Sequence, residues 1–178
     1  LPAIIAPDTP PTIEPQPTNR KTAMTPAIDT AKKARIAYTV HEYDHDPAAR
    51  SFGVEAAEKL NADPDRVFKT LVAACGDKDL VVAVVPVMKH LDLKLLAKAV
   101  GVKKAAMAEA KVVERVTGYV VGGVSPLGQK KRLATVIDAS AEGMETIFVS
   151  AGRRGMDIEL APGDLAALTN AAFADVAR

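Results

Sequence analysis

The sequence predicts a mixed α/β domain over residues 24–178: a mixed, partly closed, barrel-like β sheet with flanking helices. Three observations carry this expectation. Strand-like and helix-like segments interleave irregularly, and several strand-like segments follow one another with no helix between them, unlike a regular doubly wound sheet. Leu80 to Val85 is a continuous apolar, largely β-branched run, the pattern of a central strand buried on both faces. The 178 residues suffice for one domain with a sizeable core and are too few for two comfortable ones.

The elements are expected in this order. Thr25-Pro26 opens a helix, with Thr as cap and Pro in the first turn, and the helix runs to about Arg35 with Ala27, Ile28 and Ala31 inward. Ile36, Tyr38 and Val40 alternate with polar residues, so a strand follows and continues to the break at Asp46-Pro47. A short helix lies around Val54, Ala57 and Leu60. Asp63-Pro64 makes a turn, and Val67–Ala74 is a strand. After the central strand, a helix from about Asp92 ends at Gly101. Strand-like Val102–Met107 and a polar helix at 109–116 come next. Further strands are expected at Tyr119–Val121, Thr135–Ile137, Thr146–Val149 and Met156–Leu160. Pro162 opens a last helix carrying Leu165, Leu168 and Phe173. Residues 1–23 are proline-rich without a hydrophobic period and read as a disordered extension, the fold starting at Met24.

Composition narrows the function classes. Apolar residues make up 48% and charged residues 25%, an ordinary globular balance. No stretch has the length of a membrane span, so no membrane partner is expected. The single cysteine, Cys75, excludes an intrachain disulfide, and its apolar setting favours a small core residue over a nucleophile. A reducing cytoplasm fits. The net charge of +1 implies that any RNA partner is held weakly, locally or with another protein's help.

Several motifs invite chemistry. His41-Glu-Tyr-Asp-His45 matches the H-E-x-x-H zinc pattern, which requires a helix to bring both imidazoles to one ion. Here it continues a strand, where positions four apart stand about 13 Å from each other. No metal or other cofactor is expected. Gly123-Val-Ser-Pro-Leu-Gly128 has neither the nucleophile-elbow spacing nor the Lys-Ser/Thr of a P-loop. It reads as a tight turn or as a loop presenting backbone N–H groups to a ligand. Lys69 shares a strand face with Val67 and Leu71, so it is paired, snorkels to solvent, or loses part of its affinity for a proton as a functional lysine would. Ser150-Ala-Gly-Arg-Arg-Gly-Met-Asp157 links two strands. The pattern slightly favours a solvated hairpin, with Asp157 and Glu159 on its polar outer face, over a phosphate or carboxylate holder. Lys130-Lys-Arg132 is either a solvated charge run or a contact for RNA phosphates.

Together these segments resemble the YbaK family of aminoacyl-tRNA deacylases. The matching pieces are Met24–Ala27, His41–Pro47, Phe52-Gly53, Val67–Leu71, Leu91–Lys94, Thr117–Arg132 and Ser150–Leu160, in order across residues 24–178. The resemblance implies a free-standing relative of the editing insertion of prolyl-tRNA synthetases that hydrolyses Cys-tRNA(Pro), and often Cys-tRNA more widely. It implies the 3′ acceptor end of aminoacylated tRNA as substrate and prolyl-tRNA synthetase as partner. It implies a reaction in which the substrate's own thiol attacks its ester. By the same resemblance Lys69 is the essential lysine, with Thr70 beside it. Gly122, Gly123, Ser125 and Pro126 form a loop crowding the terminal adenosine and ester. Tyr43 and Phe52 line the amino-acid pocket, and Ser150 and Asp157 are polar residues of the same site. A deacylase for another misacylated tRNA, such as Ala-tRNA(Pro), and a non-catalytic binding module are the alternatives.

Overall fold

The computed structural model describes residues 23–77 and 79–178. The expectation of a disordered extension therefore falls, apart from Ala23, outside the described residues.

Helix α1 (Pro26–Ala34) begins at Thr25, whose hydroxyl accepts from the Ile28 N–H. The same hydroxyl donates to the Ala151 carbonyl, so the cap also pins the helix to a distant strand. Ala27, Ile28 and Ala31 are buried, as the apolar spacing requires. Strand β1 (Tyr38–Glu42) follows. Helix α2 (Phe52–Lys59) is capped by Ser51, and a short 3₁₀ turn at Pro64–Arg66 leads into β2 (Phe68–Cys75). Strand β3 (Asp79–Pro86), helix α3 (Leu93–Ala99), strand β4 (Ala105–Met107) and helix α4 (Ala110–Thr117) come next. The chain then forms a long loop to β5 (Ala134–Asp138). Strands β6 (Ile147–Arg153) and β7 (Met156–Leu160) make a hairpin, and α5 (Pro162–Thr169) and β8 (Ala172–Ala174) complete the order.

The strands form one sheet in the order β1-β7-β6 and another in the order β4-β2-β3-β5-β8. The larger sheet is mixed: β3 runs antiparallel to β2 and parallel to β5. A bridge between Val67 and Phe148 joins the sheets at one corner, and they do not close into a barrel. Strand β3 is central. Val82 and Val84 enter the core shared with α1 and the small sheet, while Val81, Ala83 and Val85 enter the core under α3. Each buried valine stabilises the fold by about 1.5–3 kcal/mol relative to exposure, so this strand anchors both layers. No helix among the described residues is long and apolar enough to cross a membrane.

Several elements differ from the sequence expectation. Tyr119–Val121 is not a strand. Gly118 (φ 79°) ends α4 in the left-handed region and Gly122 (φ 90°) turns the chain again, so three residues between two such turns cannot join a ladder. Tyr119 is buried in this loop and its hydroxyl donates to the Leu127 carbonyl at 2.7 Å. Strand β1 ends at Glu42, before Asp46-Pro47, and β4 spans only Ala105–Met107. The last helix ends at Asn170 (φ 52°), and Phe173 lies in β8, paired in parallel with β5.

The loop before β5 is locked against α1 at Gly128 (φ 66°), where an added Cβ would meet the Pro26 carbonyl oxygen at 2.4 Å. Both the backbone conformation and the backbone contact exclude a side chain. Gly128→Ala should cost about 2–4 kcal/mol, read as a lowered midpoint in urea unfolding. An unchanged midpoint would contradict this packing.

Candidate functional site

Strand β2 pairs with β3 along its whole length but with β4 only at Ala73–Cys75. The Val72 carbonyl still accepts from the Ala108 N–H, so the open edge is the Lys69–Leu71 stretch. A cavity of about 350 Å³ occupies it. Phe52 and Gly53 at the start of α2 line it together with Met107, Ala108 and Val113. Ser150, Arg153 and Asp157 enter from the β6–β7 hairpin, and Val121, Gly122 and Val124 from the loop after α4. Thus Tyr43, Phe52, Lys69, Thr70, Gly122, Ser150 and Asp157, scattered over more than a hundred positions, line one chamber.

Lys69 is half-buried, and its ammonium donates only a long 3.5 Å bond to the Val87 carbonyl. Burial holds its pKa below the usual lysine range. The result is a poorly solvated cation with spare donors. Beside it the buried Thr70 hydroxyl is the one side-chain polar atom among the described residues found buried without a hydrogen-bond partner. A buried polar group left unpaired costs about 1–3 kcal/mol, so a ligand that satisfies it gains accordingly. Tyr43 keeps its proton: burial, then the charges of Asp157 and Glu55, raise its pKa. Its hydroxyl is therefore a donor at neutral pH. Ser150 is half-buried, and its hydroxyl accepts from the Gly152 N–H at 3.2 Å.

Asp157 departs from the solvated-hairpin reading. Its face of the hairpin is covered by α2, whose Ala56 and Ala57 pack with Val67, Val87 and Phe148, and Asp157 is only 6% exposed. Glu159 on the same face stays at the rim, held by His41, Arg66 and Thr146. Burial pushes the Asp157 carboxyl up to about 7. Since the folded state then holds a proton that the unfolded chain releases near the ordinary value of 3.8, stability falls as pH rises through the window between them. Asp157→Asn should abolish that fall. Between pH 4.5 and 8 the wild type should lose about 2–4 kcal/mol more than the variant in urea unfolding. Parallel stability curves would contradict the assignment.

The other expected residues shape the site without lining it. Gly123 lies against the hairpin, where an added Cβ would stand 2.9 Å from the Arg153 Cα. Ser125 is fully buried and its hydroxyl accepts from the Leu127 N–H, closing the turn. Pro126 faces a separate recess of about 200 Å³ with Gln129 and Arg132. The two imidazoles of the H-E-x-x-H segment are each bound to a different carboxylate, His41 to Glu159 and His45 to Glu55, both at 2.8 Å. Cys75 is buried in the core under α3, and burial, then Asp79, raises its thiol pKa.

Arg153 in the lining and two supporting residues, Arg154 and Glu55, were not among the expected site residues. The Arg154 guanidinium lies 4.8 Å above the Phe52 ring and donates to the Val121 carbonyl at 2.7 Å. Gly122 packs under the same ring, its virtual Cβ 2.7 Å from Phe52 Cε2. Arg154 thus clamps α2 to the loop across the chamber. The Gly-Arg-Arg-Gly run flagged a special turn, but only the fold brings it to Phe52. Glu55 is a buried acid that accepts from His45 and from the Asp46 N–H, fixing the segment that carries Tyr43. Nothing in the sequence pattern distinguishes it from an ordinary first-turn glutamate.

The lining offers donors and one reduced-basicity lysine around a small chamber, an arrangement suited to holding an acyl ester and stabilising negative charge on its oxygen. The sequence matches the aminoacyl-tRNA editing domain over residues 46–168. It is 42% identical over 156 residues to a protein of Enterococcus faecalis provisionally named Cys-tRNA(Pro)/Cys-tRNA(Cys) deacylase EbsC, covering 85% of this chain and 92% of that one. A proline–tRNA ligase of Thermoanaerobacter is 28% identical over 107 residues, 59% of this chain and 19% of the ligase. A solved structure, provisionally described as a trans-editing enzyme for prolyl tRNA synthetase, superposes with a TM-score of 0.74 at 25% identity, covering 88% of this chain and 99% of the other. The chain belongs to the aminoacyl-tRNA editing domain family, in the YbaK group that its sequence resembles, and so to the enzymes that hydrolyse aminoacyl-tRNA esters.

Proposed function

We propose that this protein hydrolyses cysteine mischarged onto tRNA(Pro), acting in trans beside prolyl-tRNA synthetase in the cytoplasm. The observation that carries the reading is the chemistry of the chamber. It combines an under-solvated lysine and an unpaired threonine hydroxyl with a lining that contains no histidine or cysteine among the described residues. Such a lining positions and polarises an ester but pairs no hydroxyl or thiol with an imidazole base. The substrate's thiol supplies the nucleophile instead. Its sulfur bonds to the ester carbonyl carbon, the carbon–oxygen bond to the ribose breaks, and the thiol proton passes to the departing ribose oxygen, which becomes a hydroxyl. The cyclic thioester so formed is opened by water. Lys69 holds the carbonyl oxygen as charge develops on it, and Tyr43, Thr70, Ser150 and Asp157 orient the amino-acid part.

The biological need follows from size. Cysteine and proline differ too little in volume for packing alone to separate them strongly, so a second site is required. Similarity to a segment of proline–tRNA ligase and to a trans-editing protein supports prolyl-tRNA synthetase as the partner.

The test is a charging reaction with prolyl-tRNA synthetase, tRNA(Pro), cysteine and proline. Adding this protein should keep Cys-tRNA(Pro) from accumulating while Pro-tRNA(Pro) rises normally. Undiminished Cys-tRNA(Pro) in the presence of folded protein would refute the reaction.

A further inference from the structure

The net charge of +1 conceals a strong asymmetry. Residues 89–132 carry ten lysines and arginines against three acids, a net of +7, so the other 134 residues carry −6. All ten cations are exposed, and none of them is in an ion pair among the described residues. The fold gathers this segment on one flank. α3 packs against β4, and the loop after α4 folds back so that Lys130 and Lys131 donate their N–H groups to Thr117 and Val116. Lys131 and Arg132 share a recess with Asp79, Val100 and Val102, and Lys103 and Lys104 follow Val102 in the chain. Like charges kept close and unpaired repel one another, which an anionic partner would relieve.

The flank adjoins the cavity. Met107, Ala108, Val113, Val121 and Gly122, all from this segment, line the chamber. Lys104 lies three residues before Met107 along β4, a distance of about 10 Å, the span of a few stacked nucleotides rising about 3.4 Å each. The sequence segment that contains α2 has the reverse sign, although Arg154 stacks on Phe52 and Arg153 lines the cavity beside it. Residues 42–65, which include α2, carry seven acids against two basic residues; Asp44, Glu58, Asp63 and Asp65 are exposed there.

We propose that the α3–β4 flank, through Lys94, Lys98, Lys103, Lys104, Lys131 and Arg132, binds the phosphates of the RNA whose 3′ end enters the cavity. The inference rests on the proposed reading of the cavity as an aminoacyl-tRNA site. It narrows the expectation from net charge, contact held weakly, locally or with another protein's help, to the local case, through phosphates rather than base edges.

The test measures binding of an uncharged RNA hairpin with a single-stranded CCA end by fluorescence anisotropy across a salt series, so no turnover is needed. Lys103→Glu/Lys104→Glu and, separately, Lys94→Glu/Lys98→Glu should each weaken binding by about tenfold or more and flatten the plot of log affinity against log salt by about two units of slope. Thermal melts of both variants confirm folding. Unchanged affinity and slope in both folded variants would overturn the inference, leaving the flank to an acidic protein or to solvent. Binding that behaves as predicted without any deacylation would count against the proposed reaction and not against this surface.

Discussion

Lys69→Ala should reduce hydrolysis of Cys-tRNA(Pro) by about 10²–10³-fold, the loss typical of removing a group that stabilises developing oxyanion charge. Lys69 is half-buried at the open edge of β2, with a single long bond to Val87 and a pKa lowered by burial. Its charge is poorly compensated by the protein itself, so removing it does not strand a buried partner, and the fold should persist. Lys69→Met separates the charge from the carbon stem, which packs on apolar neighbours. It should be as inactive as the alanine variant, with a thermal midpoint at or above that of the wild type. Substantial activity in the methionine variant would show that the stem, and not the ammonium, is what the site needs.

Gly122→Ala should act on both activity and stability. Gly122 has φ 90°, a conformation that costs an L-residue about 1–3 kcal/mol. An added Cβ would also stand 2.7 Å from the Phe52 ring and 2.9 Å from Arg154 Nε. Phe52 and Arg154 would have to move, breaking the clamp between α2 and the loop. The variant should lose about 1–3 kcal/mol of stability and about 10²-fold in deacylation, with most of the loss in kcat, because the wall that orients the ester is displaced. A variant with wild-type melting and wild-type rate would mean that the loop yields freely and does not set the chamber.

Much of the fold was legible because local chemistry and tertiary burial agree. Thr25-Pro26 caps and starts a helix whose inward residues are those the spacing names. The apolar run after Asp79 is the central strand, buried on both faces. Where the reading failed, a local signal was overridden. Tyr119-Val-Val121 has strand composition, but left-handed glycines on both sides turn it into a cavity loop. Phe173 sits at helical spacing from Leu165 and Leu168, yet Asn170 ends the helix and the chain adds an edge strand instead.

The site was legible only in part. Lys69 stood out because a lysine on an apolar strand face demands an explanation. The alternation of β7 placed Asp157 and Glu159 on one face correctly, but it gave no sign that α2 covers one and spares the other. Ser125 and Pro126 drew attention through their loop, and they serve its shape, away from the cavity lining. Convergence of Tyr43, Phe52 and Arg154 depends on contacts between segments far apart in sequence, which no periodicity encodes.

The central claim is that this chamber uses the sulfur of its substrate. It is tested most directly by single-turnover deacylation of Cys-tRNA(Pro), Ser-tRNA(Pro) and Ala-tRNA(Pro) under identical conditions. Serine keeps the shape and replaces the thiol by a hydroxyl that is far harder to ionise, while alanine removes the nucleophile altogether. The account predicts rapid loss of cysteine and rates at least about 10²-fold slower for serine and alanine, a difference of about 2.7 kcal/mol or more in barrier. Comparable rates for all three would contradict it and put an attacking water, held by the protein, in place of the thiol.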